Sequence, residues 1–336
     1  VFPFFTLSVS MPLVLRGSFL PKSAFSNACD EQKRMSMDQK PTMKTSYESN
    51  EDVQRWLREQ SLEGGGKPEF SPTFLAGQRD RLWILSSLAQ FYEQDLITDV
   101  LRVIKSGKEA TVYCCAADPA TGRKLLAAKV YRPRMFRSLK NDAVYRQSRA
   151  VRDERGRVVR GDHGWRGAAK KTERGRAARV TNWIEHEFET QRLLYEAGAD
   201  VPCPLAQIGN AVLMDYVGDA EEAAPLLHEV DLPPEEAQPL FEAILRNIGL
   251  FLACARVHGD LSEYNILYWQ GAGAGAATII DFAQAVDPRY NPDDVFALLA
   301  RDIERVCRYF VRYGVEADAE MLAIDLWTRY LTGALA

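Results

Sequence analysis

Apolar residues recur at helical spacing from Gln78 to Gln94, where Leu82, Leu85, Leu88 and Phe91 share one side. The pattern then changes to β-branched and alternating runs. Ile97 to Ile104, Thr111 to Ala116 and Leu125 to Tyr131 each read as a strand, with turn residues Asp118-Pro119-Ala120-Thr121-Gly122 between the last two. Three consecutive strands on short turns predict an antiparallel meander. A helix is predicted from Asn182 to Ala197, with Ile184, Phe188 and Leu194 on one side, and a strand from Ala211 to Val217. After an acidic, proline-containing linker the helical pattern returns from Pro234 to Arg256 through Leu240, Ile244, Ile248, Phe251 and Ala255. Two short strands, Ile266 to Trp269 and Thr278 to Asp281, flank a Gly/Ala loop. The last strong element sets Phe296, Leu299, Ile303, Val306 and Phe310 at alternating steps of three and four. A sheet-rich half therefore precedes a helix-rich half, an α+β arrangement with the cut near Asp219.

The ends of this pattern set the expected organisation. Val1 to Leu20 is apolar but has no basic residue ahead of it and runs into Arg16, Lys22 and a polar stretch, unlike a secretory leader. Residues 1–50 are read as a disordered or non-native extension, and 51–95 as N-terminal helices, the first ending at Gly64-Gly65-Gly66-Lys67-Pro68. A sheet lobe is expected over 96–218, with an insertion at about 132–180, and a helical lobe over 219–336. With 46% apolar residues in 336, the chain can bury one large core or two modest ones. No apolar run reaches membrane-spanning length, so no membrane partner is expected. The six cysteines form no C-x-x-C pair and only four histidines are present, which argues against a zinc site. Scattered single cysteines suit a reducing, cytoplasmic setting.

Charge alters the picture in one place. Residues 132–179 hold 16 Lys and Arg against 5 Asp and Glu, on a chain whose net charge is −4. A basic segment on an acidic body is either a solvated loop or a contact for RNA backbone phosphates.

Five pieces then appear in the order that phosphoryl transfer requires. Ser106-Gly107-Lys108-Glu109-Ala110 is a turn between strands, where Gly107 lets backbone approach a phosphate. Read alone, it is equally an ordinary hairpin turn. Lys129 interrupts an apolar strand and needs a partner if buried. Glu187, on the next helix, is either that partner or one of a solvated row with Glu185 and Glu189. In Val257-His258-Gly259-Asp260-Leu261-Ser262-Glu263-Tyr264-Asn265, an Asp precedes an Asn by five residues between a helix and a strand. Asp260 can take the proton of an attacking hydroxyl, and Asn265 can hold a metal ion. Ile279-Ile280-Asp281-Phe282-Ala283 ends an apolar strand in a second carboxylate suited to Mg2+. The glycine-rich Gly271 to Ala277 opens no helix and is read as a hairpin tip.

This ordered set resembles the RIO family of atypical serine/threonine protein kinases. Ser106 to Ala110 is similar to its S-x-G-K-E-A signature, Val257 to Leu267 to its H-[AG]-D-L-S-E-[FY]-N-x-L loop, and Ile279 to Val286 to its I-I-D-x-[SPA]-Q-[AS]-V segment. The resemblance runs from about Phe91 to Arg312, and with Gly259 and the Ala-rich, compact form it looks most like the bacterial branch. It implies a two-lobed kinase-like fold with ATP and Mg2+ as cofactors. Asp260 would be the catalytic aspartate, and Asp281 a metal ligand that also becomes phosphorylated during an ATPase cycle. Ser106, Gly107, Lys108, Lys129 and Glu187 would serve the nucleotide phosphates. Met214, Asp215 and Val217 would lie at the hinge against adenine, and Asn265 with Asp281 would hold the metal. His258 would have a scaffolding role. The absence of an A-P-E segment after Asp281 implies that the usual activation loop is missing, so protein substrates would be recognised otherwise.

Two rivals remain open on sequence grounds. Small-molecule phosphotransferases of the aminoglycoside or choline type also use H-G-D-x-x-x-x-N. A ribosome- or RNA-associated ATPase switch would explain the basic segment.

Overall fold

A computed structural model describes residues 68–74, 78–132, 173–269 and 277–335, excepting the side chains of 78–80 and 173–182. The extension over 1–50, the helix expected from Glu51, most of the basic segment and the Gly/Ala loop lie outside the described residues.

Helix α1 (Gln78–Glu93) leads into β1 (Ile97–Ser106), β2 (Ala110–Ala117) and β3 (Leu125–Tyr131). Helix α2 (Glu173–Glu196) follows, then β4 (Pro204–Ile208) and β5 (Ala211–Asp215). These strands form one antiparallel sheet in the order β1-β2-β3-β5-β4. Successive side chains alternate across a strand, so β3 divides its residues between two cores. Leu126, Ala128 and Val130 pack with Ile84, Leu88 and Phe91 of α1. Ala127 and Tyr131 pack with Trp183 and Ile184 of α2. Lys129 lies between Ala127 and Tyr131 in this alternation, so the sheet presents it to α2.

The second half has its own core. Helix α3 (Pro234–Ala253) buries Leu240, Phe241, Ile244, Ile248 and Phe251, and helix α4 (Pro292–Phe310) buries Val295, Leu299, Ile303, Val306 and Phe310. These faces meet one another, helix α5 (Ala319–Thr332) and a hairpin of β6 (Ile266–Tyr268) and β7 (Ala277–Ile279). The expected α+β, two-lobed architecture is therefore what the chain forms.

Two elements were not expected. Strand β4 begins on Pro204 and pairs only with β5, as an edge strand does. Its residues are mostly half-buried, which hides any alternation. Helix α5 buries only Ala323 and Leu326 fully, leaving little apolar stripe to read. Helix α2 also starts nine residues before Asn182, and β5 ends at Asp215 rather than Val217.

Candidate functional site

The hairpin β6–β7 pairs Ile266 with Ile279, which sets the residue before one strand beside the residues after the other. The amide of Ile280 donates to the carbonyl of Asn265 at 3.0 Å, so Asn265 and Asp281 are neighbours although far apart in sequence. Asp281 has φ of +71°, a left-handed conformation that costs an L-residue energy and turns its carboxylate out of the strand direction. That carboxylate receives Nζ of Lys129 at 2.9 Å. The same ammonium lies 2.6 Å from Oε1 of Glu187, whose side chain is only 2% exposed. The Tyr131 hydroxyl donates to the other oxygen of Glu187, and Lys129 stands 5.2 Å over the Tyr131 ring. Glu187 is thus a buried partner, while Glu185 and Glu189 stay half-buried at the surface.

Electrostatics follow from this packing. Burial opposes the Lys129 charge, but the carboxylates of Asp281 and Glu187 outweigh it and hold its pKa well above the usual lysine value. Burial pushes the Glu187 carboxyl up, with Lys129 pulling the other way. Loss of solvent also opposes ionisation of Asp281, but Lys129 holds it below the usual carboxylate range.

The loop carrying Asp260 is fastened from several sides. The amides of Gly259 and Leu261 donate to the two oxygens of Asp302, at 2.7 and 3.1 Å. Arg301 donates to the Gly259 carbonyl. Gly259 has φ of +78°, and a Cβ there would stand 2.5 Å from the Gln284 carbonyl oxygen. His258 is 3% exposed; its Nε2 faces the Ile280 carbonyl at 3.1 Å and its Nδ1 faces the Asp260 amide at 3.3 Å. Those partners require one neutral tautomer, with the proton on Nε2. Burial lowers the His258 pKa in keeping with that. The side-chain amide of Asn265 donates to the Asp260 carbonyl at 2.9 Å, leaving its own oxygen available. The Asp260 carboxylate, half-exposed, is held through Oδ1 by Arg305 at 2.7 Å.

Lys129, Glu187, Asp281, Asn265 and Asp260 thus converge through direct contacts or through one shared backbone segment. The turn residues stand at the sheet end. Ser106 Oγ accepts from Arg132 at 2.7 Å, Gly107 donates its amide to the Ala110 carbonyl at 2.9 Å, and Lys108 is exposed. Met214, Asp215 and Val217 do not join the cluster through their side chains. Met214 is packed with Ala127, Tyr131 and Trp183, and the Asp215 carboxylate is bound by Arg123. The Val217 carbonyl already accepts from the Ala224 amide at 2.9 Å.

Several residues here were not anticipated. Asp302, Arg301 and Arg305 fasten the Asp260 loop from α4, and Tyr131 completes the Glu187 contacts. Burial raises the Glu109 pKa, and the neighbouring Asp281 and Asp260 charges add to it. Asp302 had a readable sign, as a carboxylate inside the apolar stripe of α4. Burial pushes its carboxyl up to about 7 despite its two amide donors.

The donor set fits Mg2+ bound with phosphate. Asn265 and Asp281 offer hard oxygen ligands side by side, and this ion normally takes few protein oxygens and completes its shell with water and phosphate. Among the described residues no group of three or more His, Cys, Asp and Glu could hold a metal ion by itself.

Residues 126–322 match the family described as RIO domain. Over 227 residues the chain is 29% identical to the serine/threonine-protein kinase rio1 of Schizosaccharomyces pombe, covering 67% of this chain and 41% of that protein. It is 36% identical over 148 residues to the RIO-type serine/threonine-protein kinase Rio2 of Methanocaldococcus jannaschii, covering 44% and 52%. The chain spans about two fifths of the length of the eukaryotic RIO1 relatives it matches. A solved structure of the Rio2 kinase–ADP/Mg2+–phosphoaspartate complex from Chaetomium thermophilum aligns with a TM-score of 0.47 at 20% identity, covering 74% of this chain and 70% of that one.

Proposed function

The chain belongs to the RIO domain family, and from that premise we propose that it is an ATP- and Mg2+-dependent atypical serine/threonine protein kinase. The observation that carries the reading is the Lys129 ammonium in contact with both Glu187 and Asp281. A buried cation braced by one carboxylate and facing a second, half-exposed one is arranged to receive nucleotide phosphates beside a metal. Lys129 binds the phosphates, and Glu187 with Tyr131 fixes the direction of its amine. Asn265 and Asp281 hold Mg2+, which when bound neutralises phosphate charge. Asp260 takes the proton of the acceptor hydroxyl on the oxygen that Arg305 leaves free. Ser106, Gly107 and Lys108 cover the phosphates from the sheet end, and the Met214-to-Val217 segment lies against adenine through backbone groups other than those already paired.

Asp281 keeps its second oxygen clear of Lys129, which favours the same carboxylate as an internal phosphate acceptor in an accompanying ATPase cycle. The charge of 132–179 favours a second reading, contact with RNA or a ribosome; salt-sensitive RNA binding lost on deleting 146–176 would support it. A small-molecule phosphotransferase shares the Asp260 chemistry, but Ser106-to-Ala110 and Gln284 favour a protein acceptor. Gly259 supports placement in the bacterial branch. The cysteines, of which the five among the described residues are all free, support a cytoplasmic setting, and no helix among the described residues is long and apolar enough to cross a membrane.

Incubation with labelled ATP and Mg2+ tests the reading. Acid-stable phosphate on serine or threonine of a protein substrate is expected, with a separate hydroxylamine-labile fraction from Asp281. Asp260→Ala should abolish transfer to protein while ATP binding largely survives. Undiminished phosphorylation by that variant would refute the assignment.

A further inference from the structure

Beside Asp260 lies a cavity of about 560 Å3, lined on one wall by Ser262, Tyr264 and Asn265 and on the other by Arg305, Arg308 and Arg312. The three arginines are spaced by three and four residues, so α4 and the turn after it present them on one side. Arg305 is tied to Asp260. Arg312 is steadied by its guanidinium lying 4.4 Å over the Tyr309 ring. Arg308 is exposed and makes no hydrogen bond or ion pair with any described residue. Two carboxylates, Asp260 and Glu263, also line the space, so the lining as a whole keeps one positive charge in excess.

We propose that this cavity is the acceptor-side subsite for an acidic polypeptide, in which Arg308 and Arg312 take the Asp or Glu side chains that flank the phosphorylated hydroxyl. The inference rests on the protein-kinase reading above and names its substrate class. Geometry favours a peptide. An acceptor hydroxyl at Asp260 brings the next few residues of its chain along the arginine wall. Arginines one helical turn apart are about 5.4 Å apart along the axis, close to the roughly 6.6 Å between alternate side chains of an extended peptide. Guanidinium forks also match carboxylates with two parallel bonds. Tyr264, 54% exposed and with its ring tilted against that of His228 at 4.3 Å, offers the facing wall an aromatic surface for the peptide backbone.

The experiment uses the full chain and three fluorescent peptides with one acceptor serine flanked on both sides by glutamate, by glutamine or by lysine. Both kcat/KM and anisotropy binding are measured. The glutamate peptide is expected to lead the glutamine peptide by roughly tenfold, two exposed pairs each contributing a few-fold, with the difference mainly in KM. In R308Q/R312Q that ratio should fall toward one, and in R308E/R312E the lysine peptide should become preferred. Equal handling of the three peptides by the wild type, or a glutamate preference that survives in both double variants, would overturn the proposal. A uridine oligonucleotide that binds at the arginines where the glutamate peptide does not would overturn it too. Loss of transfer to every peptide, with the binding preference intact, would instead count against the kinase reading alone.

Discussion

The Lys129 ammonium lies 2.6 Å from a Glu187 carboxylate that is almost completely removed from solvent. A carboxylate in that position tolerates its burial because Lys129 and Tyr131 both satisfy it. Replacing Lys129 with Met removes the cation and leaves the anion behind. We expect a loss of about 3 kcal/mol in folding stability, as for broken buried pairs generally, together with loss of nucleotide binding. Glu187→Gln keeps an amide able to face Tyr131 and should cost less stability, yet still weaken ATP binding because the amine loses its brace. Thermal unfolding and nucleotide titration of the two variants check the contrast.

Gly259 offers a purely steric test. Its positive φ alone costs a non-glycine residue roughly 1–2 kcal/mol, and a Cβ would also meet the Gln284 carbonyl at 2.5 Å. The two segments pressed together there carry Asp260 and Asp281. Gly259→Ala should therefore lower stability by at least about 2 kcal/mol and depress phosphoryl transfer by separating them. The checks are a melting curve and an activity assay below the variant's transition.

How much of this was legible in sequence depends on what each residue's role rests upon. Lys129, Asp260, Asn265 and Asp281 could be singled out because residue type and spacing suggest one chemistry, and the structure brings them into one cluster. The strands β1, β2, β3 and β5 were readable because they are β-branched or apolar between turns. Glu187 stood undecided between a buried partner and a solvated row, and only the alternation of β3 onto α2 resolves it. Asp302 and Arg305 act on a loop more than forty residues away, so no local pattern reports their contacts. Strand β4 was hidden by half-burial at an edge, where neither face of the strand is fully sorted from solvent.

His258 leads to an expected pH dependence. Burial lowers its pKa below the ordinary 6.5. The unfolded chain therefore takes up a proton at a pH where the folded protein resists it. The contribution is complete above about 6.5 and is lost progressively as pH falls below that value. Protonation would also set an N–H against the Asp260 amide, which needs an acceptor at Nδ1. Stability should therefore decline as pH falls below 6.5, and phosphoryl transfer only at the lower pH where the folded imidazole itself takes up a proton. Denaturant titrations across the range, repeated on His258→Gln, should show a shallower slope in the variant.

Asp302 is where the helical lobe grips the Asp260 loop, and its removal is expected to separate positioning from nucleotide binding. Both of its oxygens are used by amides of residues flanking Asp260. Asp302→Ala leaves those amides without partners in a region that water does not reach, at about 1–3 kcal/mol each. Total destabilisation should therefore be about 2–4 kcal/mol, because part of the loop can relax toward solvent. Lys129 and Glu187 are untouched by this change, so ATP affinity should hold within a few-fold. The rate of transfer should fall much further, since Asp260 would no longer be held beside Asn265 and the acceptor site. Asp302→Asn sharpens the test. Its amide oxygen can serve one loop amide, but its NH2 group opposes the other, so its rate should lie between wild type and Asp302→Ala. A rate for Asp302→Asn below that of Asp302→Ala, or an ATP affinity that collapses with the rate, would mean that Asp302 does not act through the Asp260 loop.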